Sequence, residues 1–191
     1  MDTTRPSLLI RIKDPRDAAA WEEFHALYAP LLYRYARARG LNHDDAEDVR
    51  ASCYESIVRQ IRSFEYDKRK GGFKAWLRTL VNRRVVDWLR KRRDEQAGSQ
   101  QLAELPDREP PPDELWEQHW KEQHLAYCLE QVRNSVTAQT YEAFQLLMQD
   151  LSVDDVCTRL SLVPKQVYRA KSRVLQLVRE RMATMSAEAG D

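Results

Sequence analysis

The stretch Phe64–Arg93, FEYDKRKGGFKAWLRTLVNRRVVDWLRKRR, constrains this chain more than any other. Its apolar residues Phe73, Trp76, Leu77, Leu80, Val81, Val85, Trp88 and Leu89 recur at i, i+3, i+4 and i+7, which predicts a helix with one buried face. Ahead of it stand the aromatics Phe64 and Tyr66 and a turn made of Lys68, Arg69, Lys70 and two glycines. From Lys68 to Arg93 there are eleven Lys/Arg and a single acid, Asp87. Such a helix repels itself unless something anionic lies against it. Release of condensed counterions makes a phosphate backbone the usual partner. A solvated arginine-rich helix is the plainer reading, but the aromatics and the Gly-Gly turn beside the charge favour nucleic acid. Arg84 falls inside the apolar arc, so either it snorkels or the helix bends near Asn82.

The net charge of +1 conceals a segregation. Residues 1–93 carry 21 Lys/Arg against 13 Asp/Glu, residues 94–130 carry 2 against 10, and residues 131–191 carry 8 against 7. A basic block, an acidic connector and a second block predict two small domains within 191 residues. Residues 94–115 hold Pro106, Pro110, Pro111 and Pro112 and no periodic apolar face, which reads as a partly extended linker. An acidic linker beside a basic helix is placed to occupy that helix when nucleic acid is absent. Cys53, Cys128 and Cys157 are far apart and form no CxxC, and the four histidines do not join them at zinc spacing. Reduced cysteines, no metal and no cofactor are expected. No membrane span and no export signal are seen, so a cytoplasmic location is expected.

Residues 1–14 are mixed and expected to be only partly ordered. Asp17 is placed to cap a helix running to about Arg39, with Ala20, Trp21, Phe24, Leu27, Tyr28, Leu31, Leu32 and Tyr35 on one face and Gly40 at its end. Asn42 or Asp44 caps the next helix, with Asp44, Asp45, Glu47 and Asp48 in its first turn. Ala46, Val49, Cys53, Ile57, Ile61 and Phe64 point inward, while Asp45, Asp48, Arg50, Ser52, Glu55 and Arg59 point outward. The acidic start either stabilises the helix or docks a basic partner; spacing alone does not decide.

After the linker, Trp116, Trp120, Leu125, Leu129 and Val132 resume helical spacing. A helix from Thr137 follows, with Tyr141, Phe144, Leu147 and Met148 inward. Ser152 caps a short helix, and a four-residue joint, Ser161 to Pro164, leads into a last one. Ser152 to Arg181 has the proportions of a helix-turn-helix, with Cys157 at the crossing. Val167, Ala170, Val174 and Val178 fall inward. Lys165, Gln166, Tyr168, Arg169, Lys171, Ser172 and Arg173 are left outward, a set suited to bases and phosphates.

Three segments in this order, DDAEDVRASCYESI, FKAWLRTLVNRRVVDWLRKRR and SVDDVCTRLSLVPKQVYRAKSRVL, resemble bacterial RNA polymerase sigma factors of the extracytoplasmic-function (ECF) type. The resemblance covers nearly the whole chain. It implies an all-α protein with a region-two domain at 15–93, the linker 94–115 threading across the polymerase, and a region-four domain at 116–182. The helix from Asp44 to Ser63 would bind core RNA polymerase through Asp45, Glu47, Asp48, Ser52, Glu55 and Arg59. Tyr66, Lys68, Arg69, Lys70, Lys74, Arg78, Asn82 and Arg83 would melt and read the minus-ten element, the loop trapping an unstacked base. The helix from Lys165 would read the minus-thirty-five element of promoter DNA. The family does no chemistry of its own, so no catalytic residue is expected.

Three departures stand out. After DAED the family usually carries Gln and an acid, where this chain has Ala51 and Ser52. A Ser/Thr kinase acting on Ser52, or on a neighbour such as Ser56, would restore that charge. Ser161 replaces the usual turn glycine, and Val163 stands where a capping Ser or Thr is common. An anti-sigma factor is a further partner the resemblance implies. The rival readings are a polymerase-independent helix-turn-helix regulator, which has no need of the 64–93 stretch, and a nucleic-acid enzyme, whose acids would have to lie beside the basic aromatic stretch.

Overall fold

The computed structural model describes residues 4–66, 72–97 and 112–190, and every regular element among them is helical. The chain divides into two compact units, residues 1–123 and 124–191.

The first unit opens with a helix that the sequence reading missed. Residues 1–14 were expected to be loosely held, but α1 (Pro6–Arg11) forms with Pro at its start and buries Leu8 and Leu9, followed by Ile12. Six residues are too few for a periodicity argument; burial of Leu8, Leu9 and Ile12 is what orders them.

Next come α2 (Ala18–Ala38), α3 (His43–Gln60) and α4 (Gly72–Ala97), with α3 packed against both α2 and α4. Asp17 caps α2 by accepting from the Ala20 amide. At the other end Gly40 takes φ +90°, where its N–H reaches the Arg37 carbonyl at 3.0 Å and the Leu41 N–H reaches the Ala36 carbonyl at 3.3 Å. This pair of bonds satisfies carbonyls that a helix end would otherwise leave open. Asn42, rather than Asp44, caps α3. The chain then makes a 3-10 turn at Ile61–Ser63.

The inward faces are as expected. Phe24, Leu27, Tyr28, Leu31, Leu32 and Tyr35 of α2, Val49, Cys53 and Ile57 of α3, and Phe73, Leu77, Val81 and Val85 of α4 are all buried. Phe73 sits among four rings, with centroids 6.0 Å from Phe24, 5.3 Å from Tyr28, 5.8 Å from Phe64 and 5.4 Å from Trp76. Burial pushes the Cys53 thiol up to about 12, so it packs as a small neutral side chain.

Arg84 does not end its helix, since α4 is continuous through it, and its half-buried side chain finds a partner inside the unit. Its Nη2 donates to the Ser56 hydroxyl at 2.7 Å, and that hydroxyl donates to the Ser52 carbonyl at 2.9 Å. A buried serine on α3 therefore accepts the cation that the apolar arc could not.

The linker expected over 94–115 is shorter at both ends. Helix α4 runs to Ala97, and α5 (Pro112–Arg133) begins with Pro at its first position. Residues 98–111 lie outside the described set. The residues of α5 up to Gln123 cluster with the first unit. Trp116 and Trp120, which periodicity had assigned to a second domain, are buried there against Tyr35 and Tyr28.

The second unit comprises α5 from His124 onward with α6 (Ala138–Met148), α7 (Val153–Leu160) and α8 (Pro164–Gly190). Its core joins Ala143, Leu146, Val156, Val167 and Ala170, with Cys157 packed at the edge. Val174, Val178 and Met185 continue the buried line along α8. Leu125 and Met148, expected inward, are exposed. On α5 the buried line runs through His124, Cys128 and Val132, and on α6 Ala143 and Leu146 face the core instead. A histidine and a small residue carry stripes that a search for large apolar side chains passes over.

Ser161 ends α7 in the left-handed region at φ +53°, which explains why glycine suits this turn. A side chain there costs roughly 1–2 kcal/mol, against roughly 0.5–1 kcal/mol of extra chain entropy for glycine. Ser161→Gly should therefore stabilise the second unit by about 0.5–1 kcal/mol and raise its Tm by a few degrees in calorimetry. A fall in Tm would mean that the serine hydroxyl supports the turn.

Candidate nucleic-acid interface

Two surfaces hold part of the predicted DNA-facing set. The first is a cleft of about 560 Å³ at the start of α4, bordered by Ser63, Phe64, Gly72, Trp76, Thr79 and Arg83. Phe64 and Trp76 form its aromatic wall, with ring centroids 5.1 Å apart. Gly72 has φ +60°, and a Cβ there would come within 3.1 Å of the Tyr66 ring. Tyr66 thus lies folded against the start of α4, and glycine is required both for that approach and for the backbone turn.

Of the cations expected here, Arg83 is exposed and Arg78 half-buried. Asn82 is half-buried, with an Oδ1 that finds no hydrogen-bond partner among the described residues. Lys68, Arg69 and Lys70 lie outside the described residues. Lys74 departs from expectation. Its side chain is 12% exposed, its Nζ lies 2.5 Å from Glu117 Oε1, and it stands 5.4 Å from the centre of the Trp120 ring. It is engaged by α5 and does not stand on an open face.

A residue with no sequence signal holds the cleft's loop. Lys13, just past α1, donates from Nζ to the Phe64 carbonyl at 2.7 Å. One lysine in a mixed N-terminal segment gives no periodicity or motif to find it by.

On α3, Asp48, Glu55 and Arg59 are exposed and Ser52 is half-buried. The other two acids of the expected docking face are already paired, Asp45 with Arg92 at 2.6 Å and Glu47 with Arg50. Exposed pairs of this kind are weak, roughly 0–1 kcal/mol, so a partner can exchange them. Ser56 differs from Ser52 in being buried and bonded on both sides.

The second surface is the outer face of α8. Lys165, Tyr168, Arg169, Ser172 and Arg173 are exposed and Lys171 is half-buried. Arg169 and Arg173 border a shallow groove with Gln139 and Thr140 of α6. Gln139 Nε2 donates to the Leu160 carbonyl at 3.1 Å, tying α6 to the end of α7. Gln166 has a different task from the one expected of it. Its Oε1 accepts from the Val163 N–H at 2.9 Å, one half of a capping box whose other half Val163 cannot supply.

This architecture has counterparts. Residues 24–95, which run from within α2 to within α4, match the Sigma-70 region 2 family. Over 173 residues the chain is 25% identical to the ECF RNA polymerase sigma factor SigE of Mycolicibacterium smegmatis, an alignment that covers 88% of this chain and 64% of that relative. Over 140 residues it is 24% identical to the ECF RNA polymerase sigma factor RpoE of Cereibacter sphaeroides, covering 72% and 74% of the two chains. The chain thus carries a Sigma-70 region 2 segment and is similar over most of its length to ECF RNA polymerase sigma factors.

The family match ends within α4, so for the second unit the likeness rests on the longer alignments. The cleft and the exposed acids of α3 both fall inside the matched segment. Among the described residues, no helix is long and apolar enough to cross a membrane.

Proposed function

We propose that this protein is an ECF sigma factor, which binds core RNA polymerase, directs it to promoter DNA and opens the duplex at the minus-ten element. One observation carries the reading: the same chain has an aromatic cleft bordered by an arginine and, separately, a helix-turn-helix with a basic outer face. A regulator that reads only duplex DNA needs the second and has no use for the first, which counts against a polymerase-independent role.

In this reading the region-two domain, expected at 15–93, is built on α2 to α4, the region-four domain, expected at 116–182, is the second unit, and the linker between α4 and α5 threads across the polymerase. Asp48, Glu55 and Arg59 meet the polymerase, joined by Asp45, Glu47 and Ser52 as their internal bonds exchange. Phe64 and Trp76 accept an unstacked base, because stacking tolerates any base and is worth roughly 1–3 kcal/mol. Tyr66, Lys68, Arg69, Lys70, Arg78, Asn82 and Arg83 hold the strand around it. On α8, Arg169 and Arg173 read base edges while Lys165, Tyr168, Lys171 and Ser172 hold phosphates. The protein performs no chemistry itself and works in the cytoplasm.

Regulation is part of the proposal. Ser52 reaches the surface, and a phosphate there supplies the charge that Ala51 and Ser52 lack relative to the family pattern. Ser56, buried and doubly bonded, is closed to a kinase in the folded state. An anti-sigma factor is the alternative control.

The test is co-elution of the unmodified protein with bacterial core RNA polymerase on a sizing column, followed by promoter-dependent transcription. A stable complex is expected from wild type or from Ser52→Glu. If only Ser52→Glu binds, phosphorylation is the switch; equal binding by both removes the switch and keeps the function. Free elution of both would overturn the proposed function.

A further inference from the structure

Two backbone carbonyls of the first unit are held by side chains 51 and 97 residues away. The Ala26 carbonyl is open because Pro30, four residues on, has no N–H to offer it, and Gln123 Nε2 donates to it at 3.5 Å. Gln123 is buried and also accepts from Arg34 through Oε1, so that bond belongs to the packing of α5. The Phe64 carbonyl, which accepts from Lys13 Nζ at 2.7 Å, belongs instead to the wall of the aromatic cleft. Lys13 is half-buried, and few side chains lose more rotamer freedom than lysine when held. An ammonium also makes a stronger bond to a carbonyl than a neutral donor does. The backbone from which the lysine reaches is itself fixed. Ile12 before it is buried, and Arg11 grips both oxygens of Asp17 at 2.9 Å through Nε and Nη2. Asp17 in turn caps α2, and Arg5 pairs with Glu23 of the same helix.

We propose that Lys13 is a positioning residue for base capture, which fixes the Phe64 wall of the cleft and so makes α1 part of the DNA-opening site. The inference rests on the reading above and adds one residue and one helix to it. Phe64 leaves the 3-10 turn with extended backbone, φ −69° and ψ 123°. Its ring packs on Phe73 and Trp76, with centroids 5.8 and 5.1 Å away. Those contacts place the ring but do not set the rotation of the next peptide about ψ. The bond to the carbonyl sets it, because the peptide unit is planar and its oxygen fixes its N–H. The course of Glu65, which also borders the cleft, follows from that plane. A wall that accepts a base by stacking binds more tightly when it is ordered beforehand, since less freedom is lost on contact. Lys13 touches the backbone of the wall and is not among the described residues that border the cleft. Its effect on DNA therefore passes through Phe64.

The test uses the full chain and fluorescence anisotropy with two labelled strands of equal length, a single-stranded oligonucleotide of mixed sequence and its abasic analogue. Wild type should bind the base-bearing strand at least about fivefold more tightly, the lower end of what stacking on aromatic side chains gives. Lys13→Met keeps the length of the side chain and removes the donor. It should weaken binding of the base-bearing strand about three- to tenfold and of the abasic strand less than about twofold. Lys13→Arg, which still donates to a carbonyl, should stay within about twofold of wild type on both strands. In a Phe64→Ala background the Lys13→Met loss should vanish. The dependence of affinity on salt separates positioning from direct contact, and its slope should be the same for wild type and Lys13→Met. An equal loss on both strands, with the slope reduced by about 0.7, would make Lys13 a phosphate contact and overturn the proposal. So would unchanged affinity in Lys13→Met, or a loss that persists without the Phe64 ring. Wild type that binds both strands alike sinks the cleft reading and this inference with it. Wild type that prefers the base-bearing strand, matched by Lys13→Met, sinks the inference alone.

Discussion

Replacing Phe73 with Ala should remove about 3–5 kcal/mol of stability from the first unit, the range for deleting a buried aromatic. Phe73 is fully buried, and four rings from α2, the 64–66 segment and α4 close on it. Against a typical total of roughly 5–15 kcal/mol this is a large share, and the unit's melting temperature should fall by about 10 °C or more. The effect reaches function through Phe64. Its ring rests on both Phe73 and Trp76, so a cavity at 73 lets the cleft wall shift. Oligonucleotide affinity should therefore drop even at temperatures where the unit remains folded. Thermal melts followed by circular dichroism check the first claim and anisotropy checks the second. A loss under about 1 kcal/mol would mean that the rings repack and that Phe73 is not the centre of the cluster.

Arg169→Ala should weaken specific duplex binding about 10- to 100-fold, the loss of roughly 1–3 kcal/mol expected for a base-reading arginine. The measurement is a titration against a duplex selected with the wild-type protein from a randomised pool. Arg169 is exposed on α8 beside Arg173, so the loss should come without a change in melting temperature. Gln166→Ala gives the contrast. It removes the bond to the Val163 N–H, so it should lower the second unit's stability by about 0.5–1 kcal/mol and affect affinity far less. If the two variants lose affinity equally, α8 does not read bases through Arg169, and the helix-turn-helix assignment loses its main support.

The helices and their caps were legible because they depend on local chemistry. Asp17, Asn42, Thr137 and Ser152 each accept the backbone amide three residues on, as their spacing required. The inward residues of α8 were legible because a long helix repeats its period often enough to fix the phase. What escaped the sequence was contact between distant residues. Nothing near Lys74 in the chain announces Glu117, and nothing near Phe64 announces Lys13. The DNA set was chosen by charge, and charge alone does not tell a cation facing solvent from one facing its own protein. Gln166 shows the same limit at short range: a polar residue near the start of a recognition helix is equally suited to a base and to its own helix end.

The proline in α2 has a consequence for how the protein is made. Ala26 and Gln123 are 97 residues apart, so the carbonyl that Pro30 leaves open finds its donor only after most of the chain has been synthesised. Helices α1 to α4 are complete by Ala97, and at roughly 5–20 residues per second another 26 residues take on the order of one to five seconds. Through that interval the Tyr28–Tyr35 face of the nascent chain is uncovered, and Lys74 has no Glu117 to hold it. A newborn first unit is thus briefly aromatic and basic on a face that the finished protein hides. Sites of ribosome pausing between residues 97 and 123 would lengthen that exposure, and a chaperone that recognises aromatic, cationic surfaces would find its target there and nowhere later.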